Sequence, residues 1–328
     1  MLKMRDPFNI QTEEEFKAYA LELFAYQHQN NKVYRQFCDL LKVDLSKVQR
    51  LEHIPYLPIE FFKLKEVYCG TPGDFYFSSS GTTSSVNSKH YIEDLNHYTK
   101  SFRTAFNHFY GPINDYCVLA LLPSYLEREG SSLIYMAEDL IKESKHPQSG
   151  FYLNELDSLA KTLKELESKN TKTLLIGVSF ALLDFVEEYQ IELHKTIVME
   201  TGGMKGRRKE LIRAELHKLL KEGFGANVIH SEYGMTELLS QAYSKGNGLF
   251  KTPPWMKISI RDTRDPLSLI GTHKTGGINI IDLANKESCA FIATEDLGKV
   301  YPDGSFEVLG RFDKSAIRGC NLMVMDPA

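Results

Sequence analysis

The chain has 328 residues, 42% hydrophobic and 25% charged, which suits two ordinary domains or one large α/β unit with a small appendage. Its 39 Lys and Arg against 43 Asp and Glu leave a net charge of −4, too neutral for a nucleic-acid clamp or a polybasic membrane binder. The apolar run Val118 to Leu122 is far too short to span a bilayer, and the N-terminus lacks the apolar core of a signal peptide, so a soluble cytoplasmic protein is expected.

Residues 12–30 and 31–42 place apolar side chains at helical spacing (Phe16, Tyr19, Ala20, Leu23, Phe24; then Val33, Phe37, Leu40, Leu41) and predict a helical N-terminal cap. Pro55 and Pro58 favour an extended stretch after it. From residue 75 to about 230, short β-type runs (75–77, 116–122, 173–178, 196–199, 227–230) alternate with helical periods (94–109, 131–144, 154–169, 179–190, 207–222). That alternation predicts an α/β layer fold with a largely parallel sheet. After Pro253-Pro254 the helical signal stops, and runs such as Met256–Arg261 and Gly277–Leu283 predict β-rich structure. A soft boundary near residue 250 then separates a core, 1–250, from a β-rich part, 251–328.

Ser78-Ser79-Ser80-Gly81-Thr82-Thr83-Ser84-Ser85 follows a predicted strand and precedes another β-like piece. Such small, hydroxyl-bearing residues can aim N–H and O–H donors at a polyphosphate. A solvated Ser/Thr-rich linker is the competing reading; the position between two β runs weakens it. No Gly-Lys-Ser/Thr closes the loop, so it is not a Walker loop. Ser231-Glu232-Tyr233-Gly234-Met235-Thr236-Glu237-Leu238 is expected just after the run 227–230, where open α/β sheets bind ligands. There Tyr233 offers a flat face for a base, Thr236 a hydroxyl, and Glu237 a hard oxygen ligand for Mg²⁺. Equally, this could be a strand-to-helix turn whose Thr236 or Glu237 caps the next helix.

Gly202-Gly203 after the run 196–199 lets backbone approach a ligand, or simply makes a tight turn. Asp296, expected at the end of a β run, could take both ribose hydroxyls, and Arg311 could pair with ribose or phosphate. A β-turn and a surface ion pair are the alternatives. No HExxH or HxH grouping suggests a histidine–zinc site, and no GxSxG elbow supports a serine hydrolase.

Five cysteines, Cys38, Cys69, Cys117, Cys289 and Cys320, are scattered without CxxC spacing and read as free thiols in a reducing compartment. Four sit in apolar company and suit inert packing. Cys320 differs, because Gly319 precedes it and Arg311, Lys314 and Arg318 are close in sequence. Nearby cations raise the thiolate fraction that an acyl acceptor needs. Packing within the β-like tail Leu322–Met325 is the other reading.

Together, in this order, the pieces resemble the adenylate-forming superfamily of acyl-CoA synthetases, luciferases and related ligases. Ser79–Thr83 is similar to its phosphate loop, Gly202-Gly203 to the loop along adenine, and Tyr233–Glu237 to its Tyr-Gly-x-Thr-Glu motif. Thr294–Gly298 resembles the ribose-binding segment and Gly310–Asp313 the hinge motif. A closer resemblance is to the LuxE-type acyl-protein synthetases, through Ile54–Lys63, Glu232–Tyr243, Ile278–Asn285 and Arg318–Leu322.

This resemblance implies the large domain of an adenylate-forming enzyme, with layered, mostly parallel sheets and the small mobile C-terminal domain absent. It implies ATP and Mg²⁺, activation of a carboxylic acid, of the fatty class, to acyl-AMP with release of pyrophosphate, and acyl transfer to a protein cysteine. Ser79, Ser80, Gly81, Thr82, Thr83 and Thr236 would hold phosphates, Gly202, Gly203 and Tyr233 adenine, Asp296 and Arg311 ribose, and Glu237 the metal. Cys320 would carry the acyl group, and a reductase or carrier protein could accept it. Where the superfamily continues Gly-x-Pro-Lys, this chain has Ser84-Ser85-Val86-Asn87. Two rivals stay open, an acyl- or aryl-CoA ligase reduced to its large domain and a non-catalytic nucleotide- or acyl-binding partner of the same fold.

Overall fold

A computed structural model describes residues 5–79, 86–123, 130–202 and 211–312. Helix α1 (Glu13–Asn30) starts at a capping box: Thr12 accepts from the Glu15 N–H, and Glu15 reaches back to the Thr12 N–H. Three glutamates in its first turn favour the positive end of the helix dipole. Asn31 caps α2 (Lys32–Leu40) by accepting from Tyr34 N–H. The buried Gln27 docks this helical pair on distant backbone. Its amide donates to the carbonyls of Asn285 and Lys286, and its oxygen accepts from Ala290 N–H.

The chain continues through β1 (Leu57–Pro58), α3 (Phe61–Leu64) and the hairpin β2 (Tyr76–Ser78) and β3 (Lys89–Tyr91). Helices and strands then alternate: α4 (Leu95–Tyr110), β4 (Cys117–Leu121), α5 (Ser132–Ser144), β5 (Gly150–Phe151), α6 (Leu156–Ser168), β6 (Thr173–Gly177), α7 (Ser179–Glu188), β7 (Thr196–Glu200), α8 (Arg213–Phe224) and β8 (His230–Tyr233). Seven strands follow, with no α-helix among the described residues beyond α8: β9 (Ala242–Ser244), β10 (Leu249–Lys251), β11 (Met256–Arg261), β12 (Leu269–Ile270), β13 (Gly276–Asp282), β14 (Phe291–Val300) and β15 (Phe306–Arg311).

Among the described residues one long sheet runs β12-β11-β13-β14-β15-β10-β9-β8-β7-β6-β4-β5, with β1 added against β14. From β5 to β8 the pairs are parallel; from β8 to β12 they are antiparallel. Strands β4 and β6 are buried at every residue, as parallel strands covered on both faces must be. The expected mixed α/β architecture, parallel first and β-rich later, is present, and the sheet passes without a break across residue 250.

Two local expectations change. The strand predicted at 227–230 lies at 230–233, so Glu232 and Tyr233 end a strand and do not follow one. Asp296 lies inside the ten-residue β14, opposite Arg311, and not at a strand end. In both places the cross-strand ladder overrides the local pattern. No helix among the described residues is long and apolar enough to cross a membrane.

Helices α7 and α8 touch where Gly223 faces Val186; a Cβ on Gly223 would lie 2.3 Å from Val186 Cβ. Alanine has the higher helix propensity, by roughly 1 kcal/mol. Overpacking costs about 1–3 kcal/mol and should outweigh it. Gly223→Ala is therefore expected to lower the urea midpoint without changing the slope of the transition. An unchanged or higher midpoint would show that the helix pair relaxes around the methyl group.

Candidate active site

A cleft of about 320 Å³ opens where the hairpin β2–β3, the start of α5, the β8–β9 connection, the middle of β14 and the end of β15 converge. Ser79, Thr236, Glu237, Asp296 and Arg311 line it together, although the chain separates the first from the last by more than two hundred residues. Ser79 closes the base of the Ser/Thr loop, its N–H donating to Ser88 O (3.2 Å) and its hydroxyl accepting from Ser88 N–H (3.0 Å). Ser80, Gly81, Thr82 and Thr83 lie outside the described residues, as do Gly203 and Cys320.

The connection 234–241 contains no helix and leads directly into β9, so Thr236 and Glu237 cap nothing. Distant side chains hold it instead. His90 Nδ1 lies 2.8 Å from the Thr236 carbonyl oxygen, and Asn285 Nδ2 donates to Glu237 O (2.9 Å). Burial pushes the His90 pKa down to about 4, against the opposing pull of the two oxygens its ring nitrogens meet, the Thr236 carbonyl and Asn285 Oδ1 (3.1 Å). Buried Asp282 accepts from Leu239 N–H, Ser240 N–H, Ser240 Oγ–H and Ala284 N–H. Trp255 Nε1 donates to Ser240 Oγ behind it.

The Glu237 side chain is 6% exposed and faces the cleft. Burial raises its pKa, and the charges of Lys63 and Arg311 only partly offset this. Lys63 also lines the cleft; it closes the Ile54–Lys63 stretch that resembles the family, but its residue type alone gives it no role there.

Tyr233 is not at the cleft wall. Its ring packs edge-on against Phe250 and Phe306, and its hydroxyl donates to Asp296 Oδ2 (2.8 Å). Asp296 Oδ1 lies 3.5 Å from Arg311 Nε, whose side chain is 79% exposed. The carboxylate is thus oriented from beneath by Tyr233 and from the rim by Arg311, leaving lone pairs for a ligand.

Gly202, with φ of +72°, turns the chain after β7. Its N–H donates to Glu200 Oε2 (2.6 Å), and Arg213 Nε donates to Glu200 Oε1 (3.2 Å). Burial alone would raise the Glu200 pKa, but His217, Arg213, Ser231 and the Gly202 N–H together hold it at about 2. Ser231, His217 and Glu200 superficially suggest a hydrolytic triad. Both partners meet the same nitrogen, His217 Nε2 (3.3 and 3.5 Å), so the ring cannot relay between them. The cluster instead braces the turn at Gly202.

Glu232 sits on the cleft side of β8, 7% exposed, where burial and, secondarily, Glu200 push its pKa up to about 8. A Cβ on Gly234 would lie 2.5 Å from Glu232 Oε1, so the carboxyl would have to move to admit one. With a folded pKa above the unfolded value, the native state binds the extra proton, and this group's stabilisation is lost as pH rises from about 4.3. The decline should run at up to ~1.4 kcal/mol per pH unit and end near the folded pKa of about 8. Glu232→Gln should flatten that part of the stability–pH curve. Parallel curves for the two proteins across this window would show an unshifted carboxyl.

Residues 4–327 match the family described as acyl-protein synthetase, LuxE. A search of curated protein sequences finds no match. Among solved structures, 2-hydroxyisobutyryl-CoA ligase in the postadenylation state with R3-HIB-AMP superposes with a TM-score of 0.66 at 9% identity. That likeness covers 92% of this chain and 68% of the ligase. ATP-bound MatB from Rhodopseudomonas palustris gives 0.52 at 15% identity over 72% of this chain and 47% of MatB, so this chain spans about half the MatB length. At such identities the likeness is one of fold, that of the large domain of adenylate-forming ligases. With the family match running nearly end to end, over a cleft that unites its motif residues, the chain belongs to the LuxE acyl-protein synthetase family.

Proposed function

We propose that the protein activates a carboxylic acid with ATP, forming acyl-AMP and pyrophosphate, and then passes the acyl group to a cysteine thiol. The observation that carries this reading is the convergence of Ser79, Thr236, Glu237, Asp296 and Arg311 on one cleft. Fatty acids are the first class to try, because the resemblance suggests them.

In this proposal a substrate carboxylate oxygen attacks the α-phosphorus, and the bond to the β-phosphate oxygen breaks as pyrophosphate leaves. Thr236 and the loop beginning at Ser79, including Thr82 and Thr83, hold phosphate oxygens through hydroxyl and N–H donors. Asp296 takes the ribose hydroxyls, oriented by Tyr233 and Arg311, while Gly202 and Gly203 let backbone lie along the base. Lys63 adds positive charge at the phosphate end. Among the described residues no group of three His, Cys, Asp or Glu could hold a metal unaided. Mg²⁺, however, is usually bound by one or two carboxylates plus substrate phosphates. Glu237, a buried cleft carboxyl whose charged form is disfavoured without a cation, fits that use. When bound, Mg²⁺ would neutralise charge on the departing pyrophosphate.

Transfer follows when a thiolate attacks the acyl carbon and AMP leaves. Cys38, Cys69, Cys117 and Cys289 are free and buried, with thiol pKa values raised to about 12, about 12, about 11 and higher still, chiefly by burial. They are poor acceptors, which supports Cys320 as the acylated residue and a reducing, cytoplasmic setting. A reductase or carrier protein would then receive the acyl group.

The test is carboxylate-dependent exchange of pyrophosphate into ATP, followed by mass spectrometry of the acylated protein. Cys320→Ser should keep the exchange and lose the thiol-labile label, because the carboxylate, not the thiol, attacks phosphorus. A label on another cysteine would refute the Cys320 assignment, and turnover on free coenzyme A would favour the CoA-ligase rival. Binding of ATP without exchange for any acid would favour a non-catalytic partner.

A further inference from the structure

We infer, building on the adenylation reading above, that the acid activated here carries a hydrogen-bond donor on its acyl portion, read by Glu232 and Gln241 in the wall of the cleft. Both side chains line the cleft and both are buried, at 7% and 4% exposure. They adjoin each other: the position a Cβ would take on Gly234 lies 2.5 Å from Glu232 Oε1 and 3.3 Å from Gln241 Cγ.

Among the described residues neither acceptor meets a donor. Gln241 Oε1 has no hydrogen-bond partner among the described residues. Among the described residues no hydrogen bond or ion pair reaches the Glu232 carboxyl, on which burial and the like charge of Glu200 act together. The nearby Tyr98 hydroxyl, which might have donated, is committed to the Ser132 carbonyl oxygen (3.0 Å). An orphaned buried acceptor is destabilising, and a buried carboxyl without partner more so. Such groups facing a ligand cleft are satisfied when the ligand brings the donor. A plain alkyl chain would leave both acceptors unsatisfied. Leu133 and Met136, on the same cleft, supply apolar contact for the carbon skeleton.

Hydroxyl and ammonium groups share this donor chemistry, and Glu232 separates them. An ammonium would be met by the ionised carboxylate, whereas a hydroxyl can be met by the neutral acid. The experiment measures pyrophosphate-exchange kcat/KM for chain-matched alkanoic, hydroxyalkanoic and aminoalkanoic acids, with wild type, Glu232→Leu and Glu232→Gln. A donor-bearing acid should exceed its plain counterpart by about a hundredfold or more in wild type, since a site with buried acceptors discriminates strongly against analogues that leave them unpaired. Glu232→Leu should erase or invert that ratio. Glu232→Gln, close in shape and the safer variant for folding, should keep a hydroxy-acid preference and lose an amino-acid one. A wild-type preference for plain alkyl acids, or a ratio unmoved by both variants, overturns the inference and leaves adenylation standing. Exchange with no acid of any class, from protein that unfolds cooperatively and binds ATP, refutes adenylation and the inference with it.

Discussion

Glu237→Gln is expected to slow pyrophosphate exchange about a hundred- to a thousandfold, equivalent to ~2.7–4 kcal/mol of lost transition-state stabilisation. Glutamine keeps the shape and the position in the cleft but removes the negative charge that would hold the metal. The native side chain is buried, and burial raises its pKa, so its ionised form is costly unless a cation arrives. Removing that charge should therefore leave the urea midpoint unchanged or slightly higher while activity collapses. This opposite movement of activity and stability is the signature of a group placed for chemistry. Exchange within a few-fold of wild type would make Glu237 a packing residue. It could not be a helix cap, because residues 238–241 run straight into β9.

Asp282→Ala should be among the most destabilising single substitutions, by about 3–5 kcal/mol, because it strands buried donors that meet a single carboxylate. Those donors are the N–H groups of Leu239, Ser240 and Ala284 and the Ser240 hydroxyl. Since the same carboxylate fixes the segment just after Glu237, catalytic competence should fall with stability. Trp255, the single tryptophan, bonds Ser240 and is almost wholly buried, so its fluorescence reports this corner directly. Emission should shift to the red in the variant before global unfolding. Asp282 and Ser240 substitutions should also be non-additive in a double-mutant cycle. A loss under ~0.5 kcal/mol, typical of a plain surface site, would show the donors finding other partners.

These experiments address residues of very different visibility in the sequence. Thr236 and Glu237 stand in a recognisable motif, and the small-residue loop at Ser79 and the glycine pair at 202–203 are equally local signals. Lys63, Glu232, Gln241 and Asp282 lie within the stretches that resemble the family, but residue type alone gives them no role there. Only the cleft shows Gln241 and Glu232 as acceptors that meet no donor among the described residues. Tyr233 was open as a base platform on residue type alone, while its ring is packed between Phe250 and Phe306 and its hydroxyl serves Asp296.

By itself the sequence determined the alternation of helices and strands between residues 75 and about 230, the largely parallel sheet there, the β-rich part that follows residue 250 and the order of the motif segments. Those features follow from backbone propensity and from the period at which apolar side chains recur, which neighbours within a dozen residues encode. Only the tertiary structure decided that β8 runs to Tyr233, that Asp296 pairs with Arg311 across β14 and β15, and that His90 reaches the Thr236 carbonyl across 146 positions of chain. It also placed Asp282 behind Ser240 and set the Glu232 carboxyl in the cleft wall with no hydrogen bond among the described residues. Register, burial and hydrogen-bond partnership depend on which distant segments share space, and desolvation acts on a side chain only after those segments have closed around it.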